Sequence, residues 1–214
     1  MKYVMYPHGG SGNHGCEAIV RSTAKLIGNE CILFTNQLEE DIRAGLKDIC
    51  TLKSAEVSIK RGSLSYLKAL FLYKFCGKKE AFDKLVYSHI VKDAKSSEYF
   101  LSIGGDNYCY GDPEFIYLVN RMVDRAGIKR ILWGASVEPS SINERMLNDL
   151  RGYHRIWARE SLTCEALREN GLTQTFLLPD PAFVLDRIDQ PLPEGFEELN
   201  MVGINVSPMI ISYE

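Results

Sequence analysis

Pro7-His8-Gly9-Gly10-Ser11-Gly12-Asn13-His14-Gly15 joins a short apolar run, Tyr3-Val4-Met5-Tyr6, to a segment in which Cys16, Ile19, Val20, Thr23, Leu26 and Ile27 recur at helical spacing. Strand, glycine turn and helix make a βα unit. Glycine permits positive φ and close approach of another molecule. The first turn of a helix adds unpaired N–H groups at the positive end of its dipole, so such a turn leaves bare amides that suit a phosphate or carboxylate. The glycines at 9, 10, 12 and 15 match neither G-x-G-x-x-G nor a P-loop, so this is no dinucleotide fingerprint. A tight connection without a ligand would use the same glycines; Asn13 and His14, which the turn itself does not need, favour binding.

The same pattern continues along the chain. Cys31-Ile32-Leu33-Phe34-Thr35 is a second strand, Leu38 to Leu46 a short polar helix, and Ala55-Glu56-Val57-Ser58-Ile59 alternates as a strand with one exposed face. Residues 60–79 then carry Lys60, Arg61, Lys68, Lys74, Lys78 and Lys79 with no acid, interleaved with Tyr66, Leu67, Leu70, Phe71, Leu72, Tyr73 and Phe75. A basic, aromatic helix of this kind either packs on the sheet with its lysines extended to water, or makes a peripheral contact with anionic lipid. Apolar residues on nearly every side favour packing on the sheet. With a further amphipathic helix over 80–95, the chain has an α-rich insertion at about 60–96.

Three later strands also end in small or charged residues. Tyr99 to Ile103 runs into Gly104-Gly105-Asp106-Asn107, Arg130 to Trp133 into Gly134-Ala135-Ser136-Val137, and His154 to Ala158 into Arg159-Glu160-Ser161, with helices expected over 114–126, 144–150 and 162–169. In open α/β sheets ligands bind beyond the carboxyl ends of the strands, so these turns can face one crevice. Asp106 can orient or deprotonate a hydroxyl, or cap the helix near Pro113. Arg159 can capture an anion in bidentate fashion, or pair with Glu160 to lock its turn. Thr175 to Leu178 is a strand, Pro179-Asp180-Pro181 a stiff elbow, Gln190 to Gly195 a linker, and Met201 to Ser207 one more apolar strand.

These elements imply an α/β fold, a doubly wound, mostly parallel Rossmann-like sheet with helices on both faces, over residues 1–188, followed by a linker at 189–200 and the opening strand of another domain at 201–214. A length of 214 residues, 45% hydrophobic, suits an ordinary globular chain. A net charge of −3 gives no general pull toward nucleic acid. The six cysteines stand singly, without a C-x-x-C pair, as expected for buried reduced thiols rather than disulfides or zinc ligands. The amino terminus is too short in apolar residues for a signal peptide and no run approaches a membrane span, so the expected compartment is the cytoplasm.

In order and spacing, Gly9 to Gly15 with Ala18-Ile19, Ile103-Gly104-Gly105-Asp106, Trp133-Gly134-Ala135-Ser136, Ala158-Arg159-Glu160-Ser161, Asp180-Pro181-Ala182-Phe183 and Gly203-Ile204-Asn205-Val206-Ser207 resemble the polysaccharide pyruvyl transferase family. The resemblance covers nearly the whole chain. It implies a GT-B-like pair of Rossmann-type domains and transfer of a pyruvyl ketal from phosphoenolpyruvate to two hydroxyls of a sugar, in a surface polysaccharide or its lipid-linked precursor, without cofactor or metal. It also implies a second domain of similar size, so the chain is expected to be an N-terminal half that needs a separately encoded second half or a homo-oligomer for activity. On this reading Arg159 holds the donor's anionic groups, with Gly10, Gly12, Asn13, Gly104, Gly105, Asn107 and Ser136 around the substrates. Asp106 is the candidate base with Glu160 behind it, and His14 the candidate acid. The alternatives are a nucleotide-sugar glycosyltransferase of the same layout and a non-catalytic sugar-binding or partner module.

Overall fold

In the computed structural model, which describes residues 3–28, 30–189, 191–196 and 200–204, one sheet is built from β1 (Tyr3–Tyr6), β2 (Cys31–Thr35), β3 (Thr51–Ser54), β4 (Tyr99–Ser102), β5 (Lys129–Ala135), β6 (Arg155–Ala158) and β7 (Thr175–Leu177). The order is β3-β2-β1-β4-β5-β6-β7 and every pairing is parallel. This is a Rossmann-like α/β sheet. β1 pairs with β2 on one side and β4 on the other, so the strand order reverses beside it and a crevice opens at the carboxyl ends of β1 and β4.

The helices are α1 (His14–Ile27), α2 (Leu38–Arg43), α3 (Leu64–Cys76), α4 (Ala81–Ala94), α5 (Glu114–Arg125), α6 (Glu144–Leu150) and α7 (Ser161–Glu169). Strand alternation sorts them onto two faces. Met5, Leu33 and Leu101 meet Ile19, Val20 and Ala24 of α1. On the other face Val4, Ile32 and Phe100 meet Ile90 and Ala94 of α4 with Val119 and Val123 of α5. All five residues of β2 are buried, as expected of a strand covered on both sides.

Four expectations are corrected. The third strand is Thr51–Ser54, not Ala55 to Ile59: β2 ends at Thr35, whose carbonyl accepts the Ala55 N–H at 2.8 Å, and beyond it the chain has no neighbour to pair with. Gly134 lies inside β5, where its φ of +63° makes an irregularity in the ladder to β6 rather than a terminal turn. α3 does not pack on the sheet; of its residues only Ala69 is buried, and Cys76, counted among the buried thiols, is exposed. Of the strand expected over 201–207, residues 201–204 are irregular and 205–214 lie outside the described residues. Among the described residues no helix is long and apolar enough to cross a membrane.

Behind β5 lies a buried polar network. Arg130, 1% exposed, makes a two-pronged bond to Asp124 at 2.6 and 2.9 Å and sits 4.1 Å above the Tyr153 ring. Asp149 accepts from the Tyr108 hydroxyl at 2.7 Å and from Asn120 at 2.9 Å, and the Tyr108 and Tyr153 hydroxyls are 2.9 Å apart. Gly152 gives the guanidinium its room, since a Cβ there would overlap Arg130 Nη2. Burial pushes both tyrosines above their ordinary 10.0, aided at Tyr108 by the charges of Tyr153 and Asp149 and at Tyr153 by that of Asp149 against a pull from Arg130. A pKa raised by folding stabilises below the unfolded value and loses that contribution as pH rises past it. Stability should therefore fall above pH 10, by up to about 1.4 kcal/mol per pH unit for each buried tyrosine. Denaturant unfolding across alkaline pH should show this fall, and a shallower one in Tyr153→Phe.

Candidate active site at the switch point

The turns after β1, β4, β5 and β6 converge. Asn13, Gly15, Cys16, Gly105, Asp106, Arg159, Asp180 and Phe183 line a hollow of about 420 Å3. A second one of about 160 Å3, with His8, Gly104, Asn107 and Phe115 on its wall, shares Cys16, Ile19 and Asp106 with the first. Both open at the carboxyl ends of β1 and β4.

Arg159 ties these turns together. Its Nε donates to Ser136 Oγ at 2.8 Å and its Nη1 to Asp180 Oδ2 at 3.0 Å, while Nη2 has no partner among the described residues. The guanidinium lies over Gly105: a Cβ there would sit 2.6 Å from Arg159 Cζ. The Ser136 N–H also donates to the Gly105 carbonyl at 2.5 Å. Gly134 admits Pro181 in the same way, its virtual Cβ falling 2.6 Å from the proline ring. Arg159 thus pairs with Asp180 rather than with Glu160.

Asp106 does not cap a helix; its carboxylate makes no hydrogen bond or ion pair among the described residues, and it lies on both hollows. Its charge is felt by Cys16 and Cys109, whose thiols are pushed up first by burial and then by Asp106, against an opposing pull from Arg159. Gly104, at φ +110°, and Asn107 form the inner wall, where the Asn107 amide donates to the Ile103 carbonyl at 2.8 Å.

The amides of the first glycine turn are not bare. The Gly12 N–H donates to the Glu40 carboxylate of α2, and Gly10 packs against Gln37 and Glu40. Asn13 caps α1, its side-chain oxygen accepting from Gly15 N at 3.0 Å and Cys16 N at 3.4 Å. Gly10 and Gly12 therefore shape the turn behind the hollow, and Asn13 reaches it. His14 points to solvent, 91% exposed and 3.3 Å from Glu17. The Glu160 carboxylate accepts from Thr163 N at 3.0 Å and caps α7. Neither residue lines the hollow.

Three groups escaped the sequence reading. Buried Asp41 accepts from Ser11 Oγ at 2.6 Å and lies 3.1 Å from His8 Nε2. Burial raises its pKa, but the Ser11 and Thr35 hydroxyls and the His8 ring together more than offset this and hold the carboxyl below its usual range. Asp180 also escaped, though its place between two prolines was a signal; one oxygen meets Arg159 and the other accepts from Ala182 N at 2.9 Å. Cys16 was read only as a core position. Among the described residues no cluster of three His, Cys, Asp or Glu side chains is placed to hold a metal ion.

A hollow with one guanidinium fixed at its edge and one carboxylate left unpaired can orient an anionic reactant and accept a proton from a neutral one. A search of curated proteins returns no match to this chain. The family model described as polysaccharide pyruvyl transferase matches residues 13–213, which includes Asn13, Asp106, Arg159 and Asp180 of the larger hollow. The chain belongs to the polysaccharide pyruvyl transferase family.

Proposed function

We propose that this hollow binds phosphoenolpyruvate and that the protein transfers its pyruvyl group, as a cyclic ketal, to two hydroxyls of a sugar in a surface polysaccharide or its lipid-linked precursor. One observation carries this reading: Arg159 is held by Ser136 and Asp180 with Nη2 unengaged, on the wall that also bears the unpartnered Asp106. Protonation of the donor's C3 makes C2 electrophilic; two hydroxyls add there in turn and phosphate leaves. Of their two protons one replaces that given to C3 and the other departs with phosphate. Arg159 holds the carboxylate or phosphate, and Asp106 takes a hydroxyl proton. His8, the one imidazole on the wall among the described residues, takes the acid role in place of His14.

The site's own charges, Arg159 against Asp106 and Asp180, are poorly balanced for a phosphate-bearing acid. The reading therefore includes a second Rossmann-type domain that closes over the hollow and adds positive charge, in the GT-B manner. This chain would form the N-terminal unit up to about residue 188.

Phosphoenolpyruvate binding by calorimetry is the first test. A charge-assisted bond is worth about 1.5–3 kcal/mol, so Arg159→Ala should weaken binding at least tenfold. Gly105→Ala should do nearly the same, because its methyl would push the Arg159 guanidinium off Ser136 and Asp180. Unchanged affinity in both variants, or preference for a nucleoside diphosphate-sugar, would remove the assignment. Asp106→Asn should fold normally and lower turnover by about 100-fold while holding the donor at least as tightly, as expected for loss of a general base that also repels the anionic donor. In the acid role, His8→Gln should lower turnover by about 100-fold, whereas His14→Gln, at an exposed position outside both hollows, should leave it unchanged.

A further inference from the structure

α3 carries two apolar faces, and only one has a partner. Toward α4 it places buried Ala69 together with Tyr66 and Tyr73, whose rings lie 5.6 and 5.9 Å from that of Phe82. On the other side Leu64, Leu67, Phe71 and Phe75 follow i, i+3, i+7, i+11 spacing and so form one stripe. They are 87%, 50%, 57% and 75% exposed. At 100° per residue Lys68 and Lys74 flank the stripe on opposite sides, and Lys60, Arg61, Lys78 and Lys79 stand at its two ends. Residues 60–79 contain no acid, and none of the six cations pairs with one among the described residues.

We propose that α3 docks on an anionic lipid surface, its Leu/Phe stripe entering the boundary between headgroups and acyl chains and its lysines facing the headgroups. Charge selects this occupant. A second copy laid on the stripe would bring the same six positive charges into contact. The chain after β7 is held elsewhere: Lys25 of α1 donates to the Val184 carbonyl at 3.1 Å and to Asp186 at 2.7 Å, on the sheet face opposite α4. The inference stands on α3 alone and does not depend on the chemistry at Arg159.

The test is co-sedimentation of the full chain with vesicles of phosphatidylcholine alone or mixed with phosphatidylglycerol. Binding should require the anionic lipid and weaken with salt. Lys68→Gln/Lys74→Gln should reduce it by about 25-fold, at about fivefold per lysine. Phe71→Ser/Phe75→Ser should abolish it, with thermal unfolding unchanged in both variants because these side chains are exposed. Failure to bind anionic vesicles, or equal binding to neutral ones, would overturn the proposal. So would a dimer that Phe71→Ser/Phe75→Ser disrupts in the absence of vesicle binding, which would give the stripe to a second copy.

Discussion

The candidate site depends on one guanidinium lying flat on a residue that has no side chain. Arg159 leaves the end of β6, crosses Gly105 at the end of β4, and is held by Ser136 beyond β5 and Asp180 beyond β7. Four strand ends far apart in sequence are thereby fixed to one another by a single side chain. Its half-buried, charge-assisted bonds are each worth about 1.5–3 kcal/mol, and they also remove the rotamer freedom a ligand would otherwise have to freeze. The clamp makes Gly105 and Gly134 geometrically obligatory: a Cβ on either would occupy space already taken by Arg159 or Pro181.

The sheet was legible because it is written locally. Apolar runs of four or five residues ending in glycine, serine or arginine mark strand ends, and their alternation with helical periods implies a parallel sheet. Periodicity failed where the partner, not the pattern, decides. Ala55 to Ile59 alternates well, yet β2 has already turned away at Thr35, so the ladder stops there. α3 is apolar on two sides, which in sequence looks like burial; in the fold one side meets α4 and the other meets water. Within the site, Arg159 and Asp106 stood out as charges at strand ends. Asp41 did not, because the residues that give it meaning, His8 and Ser11, lie 33 and 30 positions away and meet it only after α2 docks behind the glycine turn.

Charge balance limits what this rim can do unaided. At 4 Å and an effective dielectric near 20, each like-charge contact costs about 4 kcal/mol. A donor bearing both carboxylate and phosphate would meet Asp106 and Asp180 as well as Arg159. Bound alone, such a donor would be held weakly. Covered by a surface carrying further cations, it would leave water as its countercharge arrived. Domain closure would then be an electrostatic requirement of the chemistry, and not only a means of excluding solvent.

The first glycine turn differs from its counterpart in nucleotide-binding sheets of the same architecture in where its amide donors go. In dinucleotide-binding members of that architecture, the amides after β1 and at the start of α1 take the pyrophosphate. Here the protein occupies those donors itself: Glu40 takes the Gly12 N–H, and the Asn13 side chain takes those of Gly15 and Cys16. A negative charge already sits behind the turn, where a pyrophosphate would have to lie. An anion entering the same crevice is therefore drawn to its opposite wall, toward Arg159. The topology still sets where a ligand goes, while Glu40 and Arg159 decide which side of the crevice holds its charge.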